Sequence, residues 1–170
     1  MQYQPGSAMN IHVSVFDEKT GKNIFSNKEG SETDQFYYAL AGLQNHFSGA
    51  MALVAPYVNS YRRPPKNDDA PANLGWGIDN RTVGLRVPVS KPISRRIENR
   101  IPGADSNPYL AIAATLACVW LGLGEEKMPN KPKVKSLEGF ATLPRNLDIA
   151  LDMLEKSNAM KKTLGERFVK

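Results

Sequence analysis

In the stretch Arg95-Arg96-Ile97-Glu98-Asn99-Arg100, charged and uncharged side chains alternate from Arg96 onwards. Successive side chains of a β-strand point to opposite faces, so a strand here places Arg96, Glu98 and Arg100 together on one face. Such a face is either a structural ion-pair ladder or a mixed site that binds a cation and anions. The stretch therefore predicts a short strand with one charged face.

Two further strands are predicted on the N-terminal side of this one. Asn10 to Phe16 alternates with Ile11, Val13 and Val15 on one face, and Thr82 to Val87 alternates in the same way. The polar faces of the three strands are expected to form one polar surface of the sheet. Its members are Asn10, His12, Ser14, Arg86, Arg96, Glu98 and Arg100.

Helices are predicted from apolar residues at helical spacing. Ser31 and Asp34 resemble a capping box that opens the first helix. Asn107 and Pro108 open a very apolar helix that ends near Gly122 and Gly124 and is expected to be buried on nearly all sides. Two amphipathic helices follow. The apolar residues of these elements are Phe36, Leu40, Leu43 and Phe47 in the first helix, Leu147, Leu151 and Leu154 in the third, and Met160, Leu164 and Phe168 in the fourth.

This order of elements predicts an α+β fold, with an antiparallel sheet and helices packed on one face. The segment from Tyr61 to Trp76 is rich in Pro, Asn and Asp and is expected to be a loop. It is either a plain surface connection or a lid whose Asp68 and Asp69 could take a proton from an amine. His12 is likewise either a structural histidine or a ligand of phosphate oxygens.

Composition excludes several classes of function. The 170 residues carry a net charge of +5, but seven of the nine arginines lie between Arg62 and Arg100, which indicates a site for small anions rather than a general basic surface. The single cysteine, Cys118, is expected to be a buried hydrophobe. No signal sequence is predicted, and the longest apolar run falls short of the roughly 20 residues that span a bilayer. We therefore expect a cytoplasmic protein without a membrane partner.

Four motifs in the same order resemble the catalytic domain of the glutamine synthetase superfamily. They are Gly6–Ser14, Asn59–Arg63, Asn80–Arg86, and Arg95–Arg100 continuing into Asn107–Ala111. The resemblance covers nearly the whole chain. It implies a partial catalytic domain over residues 1–170, because family members also have an N-terminal β-grasp domain and earlier metal-binding glutamates. The last predicted helix reaches Lys170 without a stop signal and the first strand begins within ten residues of Met1, so both ends of the sequence are expected to be truncated. The resemblance also implies that this piece alone is inactive.

The resemblance implies a role for each residue of the motifs. His12, Ser14, Arg86 and Arg96 would contact ATP, and Glu98 would bind Mg²⁺ (or Mn²⁺). Asn10 stands where the family usually has a metal-binding histidine and could offer its carbonyl oxygen. The remaining roles are glutamate binding by Gly6, Arg63 and Arg100, stabilisation of the transferred phosphoryl group by Arg81, and general base catalysis by Asp69, where the family has a glutamate.

The activity implied is phosphorylation of the γ-carboxylate of glutamate, followed by attack of an amine on the acyl phosphate. The sequences of Trp76–Arg81 and Arg96–Asp105 are similar to those of the branch whose members join glutamate to putrescine or other polyamines. Glutamine synthetase using ammonia is the alternative within the superfamily. Family members assemble as homo-oligomeric double rings, so a dodecamer-like assembly is expected of the full-length protein.

Two alternatives of other classes remain open from the residues. Asn10 and the shortened lid carboxylate, Asp69, would also fit a catalytically silent relative that keeps the fold. The arginines, together with Tyr57, Tyr61 and Trp76, would fit a nucleic-acid-binding module. Arginines on alternating strand faces with an embedded Glu98 suit a pocket better than a continuous phosphate track, so no nucleic-acid partner is expected.

Overall fold

The computed structural model describes residues 7–62, 71–132 and 143–169. In these residues one strand and two helices are followed by three consecutive strands and then by four helices, with brief 3-10 turns among them. The elements are β1 (Ile11–Val13), α1 (Asp34–His46), α2 (Met51–Val54), β2 (Trp76–Ile78), β3 (Leu85–Val87), β4 (Ile97–Asn99), α3 (Pro108–Glu125), α4 (Leu147–Lys156), α5 (Asn158–Leu164) and α6 (Glu166–Val169), and the 3-10 turns are Phe47–Ala50, Val58–Arg62 and Pro92–Ser94.

The four strands form one sheet in the order β1-β4-β3-β2. The pairs β1–β4 and β3–β4 are antiparallel, as predicted, whereas β2 pairs with β3 in parallel. The sheet is therefore mixed at one edge. The edge strand starts at Trp76, where the sequence predicted the end of a loop, and Tyr61 and Arg62 likewise lie in a 3-10 turn. The α+β class is confirmed.

The two long helices pack against each other through glycines. A Cβ atom added at Gly42 would lie 2.1 Å from the carbonyl oxygen of Cys118, and one added at Gly122 would lie 2.2 Å from that of Tyr38. Both distances are far below van der Waals contact, so α1 and α3 approach as closely as they do only because these positions lack side chains. Cys118 is fully buried beside this crossing, as predicted.

The predicted start of α1 needs correction. Thr33, not Ser31, is its N-cap, and the Thr33 hydroxyl accepts a hydrogen bond from the backbone N–H of Phe36 at 3.3 Å. Ser31 lies two residues earlier, where its own N–H donates to the side chain of Asn27 at 2.8 Å. The predicted apolar stripe of this helix is confirmed, because Phe36, Leu40, Leu43 and Phe47 are all buried.

The start of α3 is as predicted, since the Asn107 side chain accepts from the N–H of Tyr109 at 2.9 Å. The prediction that this helix is buried on nearly all sides is wrong, because one stripe of it is exposed to solvent. Tyr109 is 82% exposed and Trp120 is 72% exposed, and Ile112 and Leu116 lie between them. By length and composition alone this helix could also cross a membrane. Its close packing on α1 is what a core helix of a globular domain shows.

Three helices, rather than two, follow Asn146. Gly165 has a positive φ of 98°, which ends α5 and starts the short α6. Leu154 and Met160 are buried as expected, but Leu151 and Phe168 are half-exposed, and Val169 takes the buried position of the last turn. The predicted stripe of the last helix is therefore wrong at Phe168.

Candidate active site

Register brings three of the predicted site residues side by side. His12 pairs with Glu98 across β1 and β4, and Glu98 pairs with Arg86 across β4 and β3. Directly paired residues project to the same face of a sheet. The alternation within each strand therefore places a histidine, a carboxylate and a guanidinium in one row across three neighbouring strands, on the same face of the sheet.

Glu98 lies at the centre of this row and is only 3% exposed. Arg86 donates from a terminal nitrogen to one Glu98 oxygen at 2.7 Å, and Arg100 places its Nε 3.4 Å from the other oxygen. A buried carboxylate is tolerable only when its charge is compensated in this way. Glu98 therefore holds two guanidinium groups in fixed positions before any ligand arrives.

Arg86 has a second carboxylate partner in Asp79, to which its other terminal nitrogen donates. The hydrogen bonds to Asp79 and Glu98 raise the pKa of the Arg86 guanidinium above its ordinary value. Asp79 adopts a left-handed backbone conformation with φ of 49°, and its N–H donates to the Val87 carbonyl at 2.9 Å. Sequence reasoning missed Asp79; the Asp79-Asn80 pair was the available signal, because both residue types tolerate this conformation.

His12 and Arg96 form the other half of the polar face. Arg96 donates from Nε to Nδ1 of His12 at 3.1 Å and from a terminal nitrogen to the Ser94 carbonyl at 3.1 Å. Because Nδ1 accepts, the neutral His12 ring carries its proton on Nε2. His12 is exposed and Arg96 is half-buried, so both can reach a ligand in solvent.

Arg100 and Arg81 meet at the opposite end of β4. Arg100 donates to the backbone carbonyl of Arg81, while the Arg81 residue itself is exposed. Beyond Arg100, the Asp105 carboxylate accepts from the Ser60 hydroxyl at 2.5 Å. This bond joins the turn after β4 to the 3-10 turn that precedes residue 63.

The outer predicted residues divide into two groups. Ser14 and Asn10 lie just beyond the two ends of β1 and are exposed. Gly6, Arg63 and Asp69 lie outside the described residues. Of the predicted site, the described part of the chain thus brings together His12, Arg86, Arg96, Glu98 and Arg100, with Arg81 beside Arg100.

A divalent cation would find one suitable carboxylate here. Within residues 7–62, 71–132 and 143–169, no group of three or more His, Cys, Asp or Glu side chains could hold a metal ion. Glu98 already accepts from arginines, yet a carboxylate has about four lone-pair positions and can accept more. Magnesium often takes one or two carboxylates and completes its shell with substrate phosphates and water. The described residues fit one carboxylate ligand of such an ion, not a complete cage.

Comparisons with known proteins agree with this geometry. The family described as "Glutamine synthetase, catalytic domain" matches residues 1–170. The γ-glutamylputrescine synthetase PuuA of Escherichia coli (strain K12) is 38% identical over 96% of this chain and 35% of its own length. The glutamine synthetase of Pyrococcus abyssi is 35% identical over 96% of this chain and 39% of its own length.

Solved structures give the same result. A complex of GmaS with ADP superposes with a TM-score of 0.81 at 29% identity, covering 94% of this chain and 39% of that chain. GmaS without ligand gives a TM-score of 0.80 over 96% of this chain.

The chain belongs to the glutamine synthetase family, within its catalytic domain. The predicted family is thereby confirmed. The chain spans 35% of the length of the first relative and 39% of the second. Relatives named for two different products, γ-glutamylputrescine and glutamine, match the chain almost equally well. Similarity alone therefore does not identify the substrate that supplies the nitrogen.

Proposed function

We propose that the full-length protein carrying these residues is an ATP-dependent carbon–nitrogen ligase that joins glutamate to an amine of the putrescine or polyamine type. The observation that supports this most is the single polar face on which His12, Glu98 and Arg86 lie in one row, flanked by Arg96 and Arg100. Fixed guanidinium groups around a buried carboxylate suit an anionic, phosphate-bearing substrate.

In the first chemical step an oxygen of the glutamate γ-carboxylate attacks the γ-phosphorus of ATP, and ADP leaves. In the second, the amine nitrogen attacks the acyl carbon, inorganic phosphate leaves, and Asp69 accepts the amine proton. The chemistry needs positioning and charge stabilisation rather than a protein nucleophile. Cys118 is not a candidate nucleophile, since complete burial raises the pKa of its thiol well above the ordinary value.

Each side chain has an assigned task in this proposal. His12, Ser14, Arg86 and Arg96 bind the nucleotide, and Arg81 stabilises the phosphoryl group in transit. Arg100 binds a carboxylate of glutamate together with Arg63 and Gly6. Magnesium, held by Glu98 and by the carbonyl oxygen of Asn10, would neutralise phosphate charge when bound.

Glutamine synthesis from ammonia is the second candidate function. It is favoured by the 35% identity to the Pyrococcus abyssi enzyme, which is close to the 38% identity to PuuA. The two proposals share every step except the identity of the attacking nitrogen. A silent family member is the third candidate, because Asn10 replaces the usual metal-binding histidine.

The proposed protein works in the cytoplasm as a homo-oligomer of double-ring form, by analogy with the family. Nucleic acid and membranes have no part in the proposal.

Phosphate release by the complete gene product tests the proposal. Magnesium, ATP and glutamate are held constant while putrescine, longer polyamines, monoamines and ammonia are varied. Turnover that depends on glutamate and is fastest with a diamine or polyamine supports the proposal. Turnover fastest with ammonia supports glutamine synthesis, and no turnover with any acceptor supports a silent relative.

A further inference from the structure

A buried asparagine outside the polar face holds the segment that leads into Arg96. Asn23 is 6% exposed, and its side-chain nitrogen donates to two backbone carbonyls, that of Ile93 at 3.1 Å and that of Arg95 at 2.8 Å. Its side-chain oxygen accepts from the N–H of Phe25 at 3.0 Å. All three of these hydrogen bonds join the buried amide to backbone, and two of them cross about seventy residues of sequence.

The same loop contacts the same segment at two more points. The Ser26 hydroxyl donates to the Pro92 carbonyl at 2.8 Å. Arg95 forms an ion pair with Glu32 and donates to the Gly30 carbonyl at 2.9 Å. Residues 23–32 thus fix residues 92–95 from one side, and we call Asn23 with its two carbonyl partners the asparagine clamp.

Arg96 depends on this segment more than the other site arginines do. It precedes the first residue of β4, whereas Arg86 is the central residue of β3 and is paired on both sides. The Arg96 guanidinium is also tied to the Ser94 carbonyl, which belongs to the clamped segment. Asn23 in turn is bridged to Phe16, which continues from the strand that carries His12. The clamp therefore joins the two backbones whose side chains meet at the 3.1 Å contact of Arg96 and His12.

We propose that Asn23 is a positioning residue for the nucleotide part of the site, acting through the Pro92–Arg95 segment on Arg96. This inference rests on the proposed function. It adds that the loop after β1 controls binding of ATP and not of glutamate. The proposed glutamate ligand Arg100 follows the last residue of β4, whereas the clamp holds residues that precede its first one. If Asn23 had a purely structural role, its substitution would instead lower the stability of the protein and raise the KM values for ATP and glutamate alike.

Asn23→Asp in the complete gene product tests the clamp. Aspartate keeps the shape and the acceptor for Phe25 but loses both donated hydrogen bonds. We expect the KM for ATP to rise about tenfold, with the KM for glutamate changed by less than about twofold. Asn27→Asp is the matched control, because Asn27 is exposed and its side-chain oxygen accepts from the N–H of Ser31 within the loop. It should leave both KM values unchanged.

Glu32→Gln is the second variant, for the case in which Asn23→Asp fails to fold. It weakens the Arg95 ion pair from the same loop and should raise the KM for ATP about threefold, again without a matching rise for glutamate. Equal rises for both substrates, or no rise for ATP in the folded variant, would overturn the role of the clamp.

The outcome also separates this inference from the proposed function. If the unsubstituted protein shows no turnover, the proposed ligase fails, and ADP affinity measured by titration calorimetry replaces KM. Weaker ADP binding in Asn23→Asp than in Asn27→Asp then still supports the clamp, while equal binding overturns it. If the unsubstituted protein does not bind ADP, both proposals fail.

Discussion

The two halves of the polar face are held together in different ways. In the inner half, Arg86 and Arg100 converge on a Glu98 carboxylate that is almost completely buried. In the outer half, Arg96 meets the exposed ring of His12 through one hydrogen bond of 3.1 Å. The inner half is preorganised because its buried charges require each other. In the outer half the clamp fixes the backbone before Arg96, but the partly exposed Arg96 side chain and the exposed His12 ring can turn towards a ligand at little cost. The proposed nucleotide site would use both properties: fixed charge at the phosphates and freedom where the ligand enters.

The largest effect on stability is expected from removing the central carboxylate. Glu98→Ala should lower the free energy of unfolding by about 3 kcal/mol, because two poorly solvated guanidinium groups lose their shared partner. Urea denaturation measures it. Asp79→Asn is the matched control, because it neutralises the other carboxylate partner of Arg86. The Asp79 side chain is 57% exposed, so the loss of stability should stay below about 1 kcal/mol. Equal losses would show that the burial of Glu98 has no energetic consequence.

A pair of double-mutant cycles compares the two halves directly. The cycle of Arg86→Met with Glu98→Gln should give a coupling energy of about 1.5 kcal/mol. The cycle of Arg96→Met with His12→Gln should give less than about 0.5 kcal/mol, since that contact is solvent-exposed. Coupling of similar size in both cycles would remove the distinction between a preorganised and an adaptable half.

Arg96→Ala should separate binding from stability. Its free energy of unfolding should change by less than about 0.5 kcal/mol, because the side chain is partly exposed and precedes the first residue of β4. The KM for ATP of the complete gene product should nevertheless rise about tenfold, through loss of a charge-assisted contact to phosphate. A stability loss as large as that of Glu98→Ala, or an unchanged KM for ATP, would contradict the assignment of Arg96 to the adaptable half.

A hydrogen bond outside the polar face, between His46 and Glu125, gives the scale for a less buried contact. Nε2 of His46 lies 2.8 Å from Glu125, with 17% and 28% of the two side chains exposed. Burial tends to raise the pKa of the Glu125 carboxyl, but Lys127 and His46 lower that pKa overall. The resulting stabilisation is present at neutral pH and is lost as the pH falls through the lowered pKa, below 4.5.

Glu125→Gln should therefore cost only about 0.5 kcal/mol at pH 7. The difference between variant and parent should disappear in acid, as followed by urea denaturation at a series of pH values. A difference that persists or grows at low pH would contradict the direction of the shift.

The polar face could be predicted from sequence because strand alternation is local. The spacing of His12, Arg86 and Glu98 within their own strands was enough to place them on one surface. Their register was not predictable, because pairing of His12 with Glu98 joins residues far apart in the chain. The parallel edge strand β2 was missed for the same reason: three residues, Trp76–Ile78, carry too short a pattern to show pairing with β3.

The side of α3 that faces the core could also not be predicted from the sequence. Its residues from Tyr109 to Leu123 are apolar all round, so no periodicity marks the side that faces the core. The close contact of Gly42 with Gly122 decides the orientation, and this leaves Tyr109 and Trp120 exposed. The asparagine clamp was missed because a lone Asn in a loop has no distinguishing pattern; only the structure brings Asn23 to residues 93 and 95.

The most direct test of the polar face as a nucleotide site is calorimetric titration of ADP into the complete gene product, with and without magnesium, for the unsubstituted protein and for Glu98→Gln. We predict that magnesium strengthens ADP binding to the unsubstituted protein and that this increment is absent from the folded Glu98→Gln variant. The same magnesium-dependent increment in both proteins would contradict a role for Glu98 at the phosphates.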